Sequence, residues 1–282
     1  MIFDTYGEHI FFDGAMGTML GAFGRKPGEK PDILNITLPK AVEKVHRMYV
    51  EAGSDIICAN TFGSNALGLS GTGYSPAQVI TAAVTIAKRA CSGHTKVALD
   101  IGPLGQLLEP LGEIESERAN ELFKEMAVVG EMHGADFAAI ETMSDIEEMK
   151  IAIAAVKDNT KLPVLATMTF DKTGHTYMGC TPETFVDAAE KLGASAVGMN
   201  CSLTPSMMLD TAKRFANVTT LPLIIKLNAG LPDGADGGYQ TGPEEFATQM
   251  IPYAKIGARI IGGCCGTTPE YIKALRKVFK AN

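Results

Sequence analysis

The chain has 282 residues, 46% of them hydrophobic and 20% charged, enough to bury one large core, and α/β barrels commonly reach this size as one domain. A formal net charge of −7, no apolar run approaching the ~20 residues of a membrane span, and no basic-then-apolar leader argue against nucleic acid and membrane and predict a cytoplasmic protein. Six cysteines without even spacing do not form a disulfide framework, so reduced thiols are expected.

Apolar, strand-like runs begin near Ile10, Asp55, Lys96, Phe137, Leu162, Ala196, Pro222 and Ala258. Between them the periodicity turns helical, as in Val42, Val45 and Tyr49, or in Leu122, Met126 and Val129, each set marking one buried stripe. Ser75-Pro76, Thr181-Pro182, Thr204-Pro205 and Thr268-Pro269 each put a capping hydroxyl before a proline suited to a first helical turn. Gly53, Gly134, Gly193 and Gly257 each stand where a helix ends just before the next strand. Eight such units without a long linker predict a closed (β/α)8 TIM barrel forming a single domain over residues 1–282. The loops expected are Gly21 to Asp32, Ser64 to Ser75 and Leu231 to Thr241.

Barrel active sites lie at the C-terminal ends of the strands. In chain order those ends are Asp13-Gly14, Asn60-Thr61-Phe62, Gly102-Pro103, Glu141-Thr142, Phe170-Asp171, Asn200-Cys201, Asn228-Ala229-Gly230 and Cys264-Cys265. Adjacent cysteines such as Cys264 and Cys265 are strained as a disulfide but natural as shared metal ligands, with glycines on both sides to turn the sulfurs toward one point. Cys201 ends the sixth strand, two strands from the pair on the same rim, so three thiolates can meet one zinc ion. Asn228, on the strand between, is placed to supply a neutral fourth ligand that yields to substrate. Three thiolates on zinc make a weak Lewis acid toward water but a good partner for a substrate thiol, which binds as thiolate and keeps its nucleophilicity. Two plainer readings stand beside this one: a structural zinc or merely buried thiols, and a phosphate-binding loop at Gly262 to Thr267. The second gains nothing from thiolates.

The motifs resemble those of the homocysteine S-methyltransferases, above all the homocysteine-binding barrel of cobalamin-dependent methionine synthase. The residues that carry the resemblance are Asp13-Gly14-Ala15-Met16-Gly17-Thr18-Met19, Asn60-Thr61-Phe62-Gly63, Gly102-Pro103, Leu107 to Gly112, Glu141-Thr142, Asn200-Cys201-Ser202, Asn228-Ala229-Gly230 and Gly262 to Thr267. It implies that Cys201, Cys264 and Cys265 bind zinc and that homocysteine sulfur takes the open position on the way to methionine. It also implies that Asp13 and Glu141 receive the substrate ammonium, and that backbone N–H groups around Gly14-Ala15 and Phe62 receive its carboxylate. Ion-paired rim carboxylates are the plainer reading of Asp13 and Glu141. One departure is Leu227, which precedes Asn228 where the family commonly has proline.

The chain ends soon after its eighth helical segment, and an Asp-x-His-x-x-Gly motif for a cobalamin lower ligand is absent from it. The expected donor is therefore methylcobalamin on a separate corrinoid protein, favoured by the Ala-Met-Gly-Thr-Met opening. The alternatives are a small donor such as S-methylmethionine, S-adenosylmethionine or betaine, and a barrel that binds zinc or thiols without catalysis. Cys58 and Cys91 are expected in the core and Cys180 as a spectator in a loop, while none of the five histidines falls at a strand end with ligand spacing.

Overall fold

The computed structural model describes residues 2–230, 232–233 and 238–281. The chain runs from β1 (Ile10–Phe11) through α1 (Met16–Gly21), a 3-10 turn at Pro31–Ile33, α2 (Leu34–Thr37) and α3 (Pro39–Ala52) to β2 (Ile56–Cys58). It continues as α4 (Pro76–Ala90), β3 (Lys96–Ile101), α5 (Ser116–Met132), β4 (Phe137–Met143), α6 (Ile146–Asn159), β5 (Val164–Met168), α7 (Pro182–Lys191), β6 (Ala196–Cys201) and α8 (Pro205–Val218). Last come β7 (Leu223–Leu227), a small hairpin of β8 (Pro232–Asp233) and β9 (Gly238–Tyr239), α9 (Pro243–Lys255), β10 (Ala258–Gly263) and α10 (Pro269–Ala281). Of the loop expected from Leu231 to Thr241, Leu231 and residues 234–237 lie outside the described residues.

Eight strands pair in parallel in the order β1-β10-β7-β6-β5-β4-β3-β2. A parallel bridge between Phe12 and Ile56 closes the ring, and the Asp55 carboxylate reinforces it by accepting the Phe11 N–H at 2.8 Å. The result is the expected (β/α)8 barrel. The local signals act as read from sequence: Ser75 forms a capping box with Gln78, the Thr181 hydroxyl accepts the Thr184 N–H, and Gly53, Gly134, Gly193 and Gly257 all have positive φ. Thr204 is different, because its hydroxyl pairs with Ser206 Oγ rather than with the helix backbone.

Two cores result. One lies between the sheet and the helices; the other fills the barrel with Ile10, Phe12, Ile56, Cys58, Ala98, Phe137, Ala139, Leu165, Ala196, Ile224 and Ile260. Phe3 stacks on Phe137, the first residue of β4, with ring centroids 6.0 Å apart, and so seals the N-terminal end of the barrel with apolar surface. At the other end the inward positions become polar, which is where the site lies. Among the described residues no helix is long and apolar enough to cross a membrane.

Candidate active site

Cys201 is the last residue of β6, and Cys264 and Cys265 follow β10 directly. Cys201 and its neighbour Ser202 have φ of 54° and 56°, and Thr142 at the end of β4 has φ of 62°. Left-handed backbone at three non-glycine positions costs energy, and such strain collects where side chains are aimed for a purpose. Gly266 turns the loop after the cysteine pair with φ of 79°, packed so closely against the Tyr239 ring that a side chain would collide with it.

The three sulfurs converge. Cys201 Sγ and Cys265 Sγ are 3.7 Å apart, and all three Sγ atoms lie within 4.8 Å of one another. Tetrahedral zinc with Zn–S bonds of about 2.3 Å sets its sulfurs about 3.8 Å apart, so this donor set fits a zinc ion. Proton sharing with Cys201 and burial push the Cys264 thiol well above its ordinary pKa. A cation among the sulfurs reverses that sign, because thiolate is the form that coordinates.

Asn228 is held between the cysteine loops. Its Oδ1 accepts the Cys265 N–H at 3.0 Å and its Nδ2 donates to the Ser202 carbonyl at 3.1 Å, so the side chain positions two of the three cysteine segments. Asn200, buried, performs a similar task one layer deeper. Its Oδ1 accepts from Thr142 N at 2.7 Å and Thr167 Oγ1 at 2.9 Å, and its Nδ2 donates to Thr142 Oγ1 at 2.7 Å. The same Nδ2 lies 3.4 Å from Glu141 Oε1 and 3.9 Å from Cys264 Sγ, tying the carboxylate to the sulfur cluster.

Below the sulfurs a cavity of about 280 Å³ opens into the barrel, lined by Asp13, Gly14, Ala15, Phe62, Glu141 and the three cysteines, all anticipated from sequence, and also by Cys58, Asp100 and Lys226. Lys226 reaches Glu141 Oε2 at 2.5 Å, lies 3.8 Å from Cys58 Sγ and sits over the Phe12 ring at 4.5 Å. Burial works against its charge, but Cys58, Glu141, Asp13 and Asp100 outweigh it and hold Lys226 well above an ordinary lysine. Burial pushes Asp13 up to about 7 despite the pull of Lys226, and Asp13 Oδ2 accepts the Cys58 N–H at 2.8 Å. Burial and then the Glu141 charge raise Asp100 far above a free aspartate.

Gly14 is a glycine because a side chain there would strike Thr267 and Tyr49. The Ala15 N–H donates to the Thr267 carbonyl at 3.1 Å. Asp32 anchors the end of the Gly21 to Asp32 loop beside the cavity, its Oδ1 accepting from Gly63 N at 2.9 Å and Ser64 Oγ at 2.7 Å. Asp171, at an expected strand end, instead caps its own exposed turn through Thr173. Cys91 follows α4 as its C-cap, half-buried and packed against the outer core as periodicity suggested, while Cys180 is buried in its loop. A larger cavity of about 560 Å³ at the opposite end of the barrel is lined by His94, Lys273, Arg276 and Lys277 but by no cysteine.

Lys226 and Asp100 escaped the motif reading, yet strand parity points to both. Lys226 shares a face with Ile224 and Asp100 with Ala98, and those faces fill the barrel.

Residues 10–279 match the family model described as homocysteine S-methyltransferase. The chain belongs to the homocysteine S-methyltransferase family. It is 32% identical to the methionine synthase of Mycobacterium leprae over 96% of its own length and 24% of that protein's, and 34% identical to that of Mycobacterium tuberculosis over 96% and 25%. The chain thus spans about a quarter of the length of these relatives. Its fold matches the homocysteine methyltransferase MmuM of Escherichia coli in its metallated form, with a TM-score of 0.83 and 21% identity over 97% of both chains. Family membership agrees with what the motifs suggested, and the barrel fold puts the cysteine-lined rim where barrel enzymes do chemistry.

Proposed function

We propose that this barrel methylates homocysteine to methionine, with Cys201, Cys264 and Cys265 as the ligands of a zinc ion. The convergence of the three sulfurs above an acidic cavity carries the reading. Zinc held there supplies the means of keeping the acceptor sulfur as thiolate at neutral pH. The chain's own residues do the rest. Asp13, Asp100 and Glu141 line the floor with carboxyl oxygens that accept hydrogen bonds, so an amino-acid thiol enters with its ammonium inward and its sulfur toward the cysteines. Asn228 and Asn200 hold the cysteine segments in place, and Asn228 oxygen is the candidate fourth ligand. Backbone N–H groups near Gly14 and Phe62 are candidates for the carboxylate, while the Ala15 N–H is already engaged with Thr267. The acceptor sulfur attacks the methyl carbon, a C–S bond forms, and the electron pair of the donor–methyl bond leaves with the donor.

For the donor we propose a methylated corrinoid carried on a separate protein. The Ala15-Met16-Gly17-Thr18-Met19 opening supports this reading. The test is a zinc absorption-edge spectrum with and without homocysteine, followed by methyl-transfer assays with methylcobalamin, S-methylmethionine and betaine in parallel. A new zinc–sulfur contribution and turnover with methylcobalamin are expected. An unchanged spectrum overturns the acceptor reading, and turnover with a small donor alone overturns the corrinoid.

A further inference from the structure

Asn200, one residue before Cys201 at the end of β6, is fully buried, and its amide can be oriented in only one way. The Thr142 N–H can only donate, so the amide atom 2.7 Å from it is Oδ1, and the Thr167 hydroxyl donates to the same oxygen at 2.9 Å. Nδ2 is thereby turned toward the sulfurs. One of its two hydrogens goes to Thr142 Oγ1 at 2.7 Å. The other faces Glu141 Oε1 at 3.4 Å and Cys264 Sγ at 3.9 Å, and Glu141 already has Lys226 on its other oxygen. Cys265 is the exposed member of the cluster; its Sγ lies 3.7 Å from Cys201 Sγ and receives no side-chain N–H among the described residues.

We propose that Asn200 is a positioning residue that acts through Cys264. Its Nδ2 N–H donates to the Cys264 sulfur when that sulfur is a metal-bound thiolate, lowers its nucleophilicity, and so steers the methyl group to the acceptor's sulfur instead of to a ligand. The assignment rests on the cysteines holding zinc, as in the function proposed above. The need for it follows from the chemistry, since every thiolate on the ion is a nucleophile of the same kind as the acceptor. A hydrogen bond to a charged acceptor is about twice as strong as one between neutral groups, and it stabilises the lone pair that would attack. At 3.9 Å the contact with a neutral thiol is long. Negative charge on the sulfur draws the N–H closer, in competition with a carboxylate whose charge Lys226 already offsets. Held by three hydrogen bonds to β4 and β5, Asn200 keeps this donor aimed at Cys264.

The test has two readouts: the absorption spectrum of the protein loaded with cobalt(II), and peptide mass mapping of the zinc-loaded protein treated with methyl iodide without acceptor. In Asn200→Ala the sulfur-to-cobalt charge-transfer band is expected to move to lower energy, because a sulfur freed of its hydrogen bond gives up electron density more readily. Methylation of Cys264 is expected to rise about 10-fold, the low end for a hydrogen bond to a charged group, with methylation of Cys265 unchanged. Asn200→Ser, too short to reach the sulfur, is expected to behave as Asn200→Ala and serves if the alanine variant fails to fold. Thr167→Val removes a structural hydrogen bond from Asn200 but leaves Nδ2 in place, and is expected to match wild type in both readouts. The proposal is overturned if the Asn200 variants leave both readouts at the wild-type values, or if Thr167→Val shifts them as far. If wild type takes up neither zinc nor cobalt, the metal reading falls and this assignment with it.

Discussion

Lys226 Nζ and Glu141 Oε2 form an ion pair of 2.5 Å inside the barrel, with side chains only 5% and 11% exposed. A buried pair of this kind contributes little net stability as a whole, but removing one partner strands the other charge. Lys226→Met is therefore expected to cost about 3–5 kcal/mol in urea denaturation, and the double variant Lys226→Met/Glu141→Gln clearly less than that. Equal destabilisation by the single and double variants would show that packing, not charge, governs the site.

Among the described residues, two groups present metal-ligating atoms close together: the rim cysteines, and Cys58 with Asp100 and Glu141 deeper in the barrel. The deeper group already contains the Lys226 ammonium, which opposes a second cation. Cys264→Ser is expected to lose the bound zinc and methyl transfer together, and Cys58→Ser to keep about one zinc per chain. Metal analysis of the two purified variants decides between the groups.

Asn228 joins the Cys265 N–H to the Ser202 carbonyl, so its loss loosens two of the three cysteine segments. Asn228→Ala is expected to weaken zinc binding by about 10- to 100-fold, the usual cost of losing a group that orients metal ligands. Competition with a chromogenic chelator measures it, and an unchanged affinity would remove Asn228 from the metal site altogether.

Tyr49 on α3 reaches across to the rim, where its hydroxyl donates to the Thr267 carbonyl at 3.0 Å and lies 3.2 Å from the Ala15 carbonyl. Tyr49→Phe removes one buried hydrogen bond from the Thr267 carbonyl, which keeps the Ala15 N–H, and is expected to cost about 0.5–1.5 kcal/mol in denaturant unfolding.

Glu148, near the start of α6, is buried, accepts the Leu104 N–H at 2.7 Å, and is pushed by burial up to about 7. Because the folded protein holds this proton more tightly than the unfolded chain does, its contribution is fully present below the ordinary glutamate pKa. It is lost as pH rises toward 7. Glu148→Gln keeps an acceptor oxygen for Leu104 without the charge. The variant is expected to show a flatter fall in stability between about pH 5 and pH 7 than wild type, measured by urea denaturation across that range.

The alternation of strand-like and helical periods, the Ser/Thr-Pro starts and the glycine stops were sufficient to determine the barrel, because each is a local property of the backbone and eight repeats leave few ways to pack. The three rim cysteines were legible for the same reason: once each sits at a strand end, closure of the barrel brings them to one side. The interior was harder to read. Lys226 interrupts the run Leu223-Ile224-Ile225 and Asp100 ends one of similar character, and parity says that both point inward. Parity does not say how deep they lie or which charge meets which. Only the closed ring decides that, since strand stagger sets which inward residues share a layer. That layer pairs Lys226 with Glu141, leaves Asp100 Oδ1 without a partner and commits Asp13 to Cys58. The convergence of the cysteines was a matter of chain position, whereas the pairing of the buried charges was a matter of which inward residues share a layer.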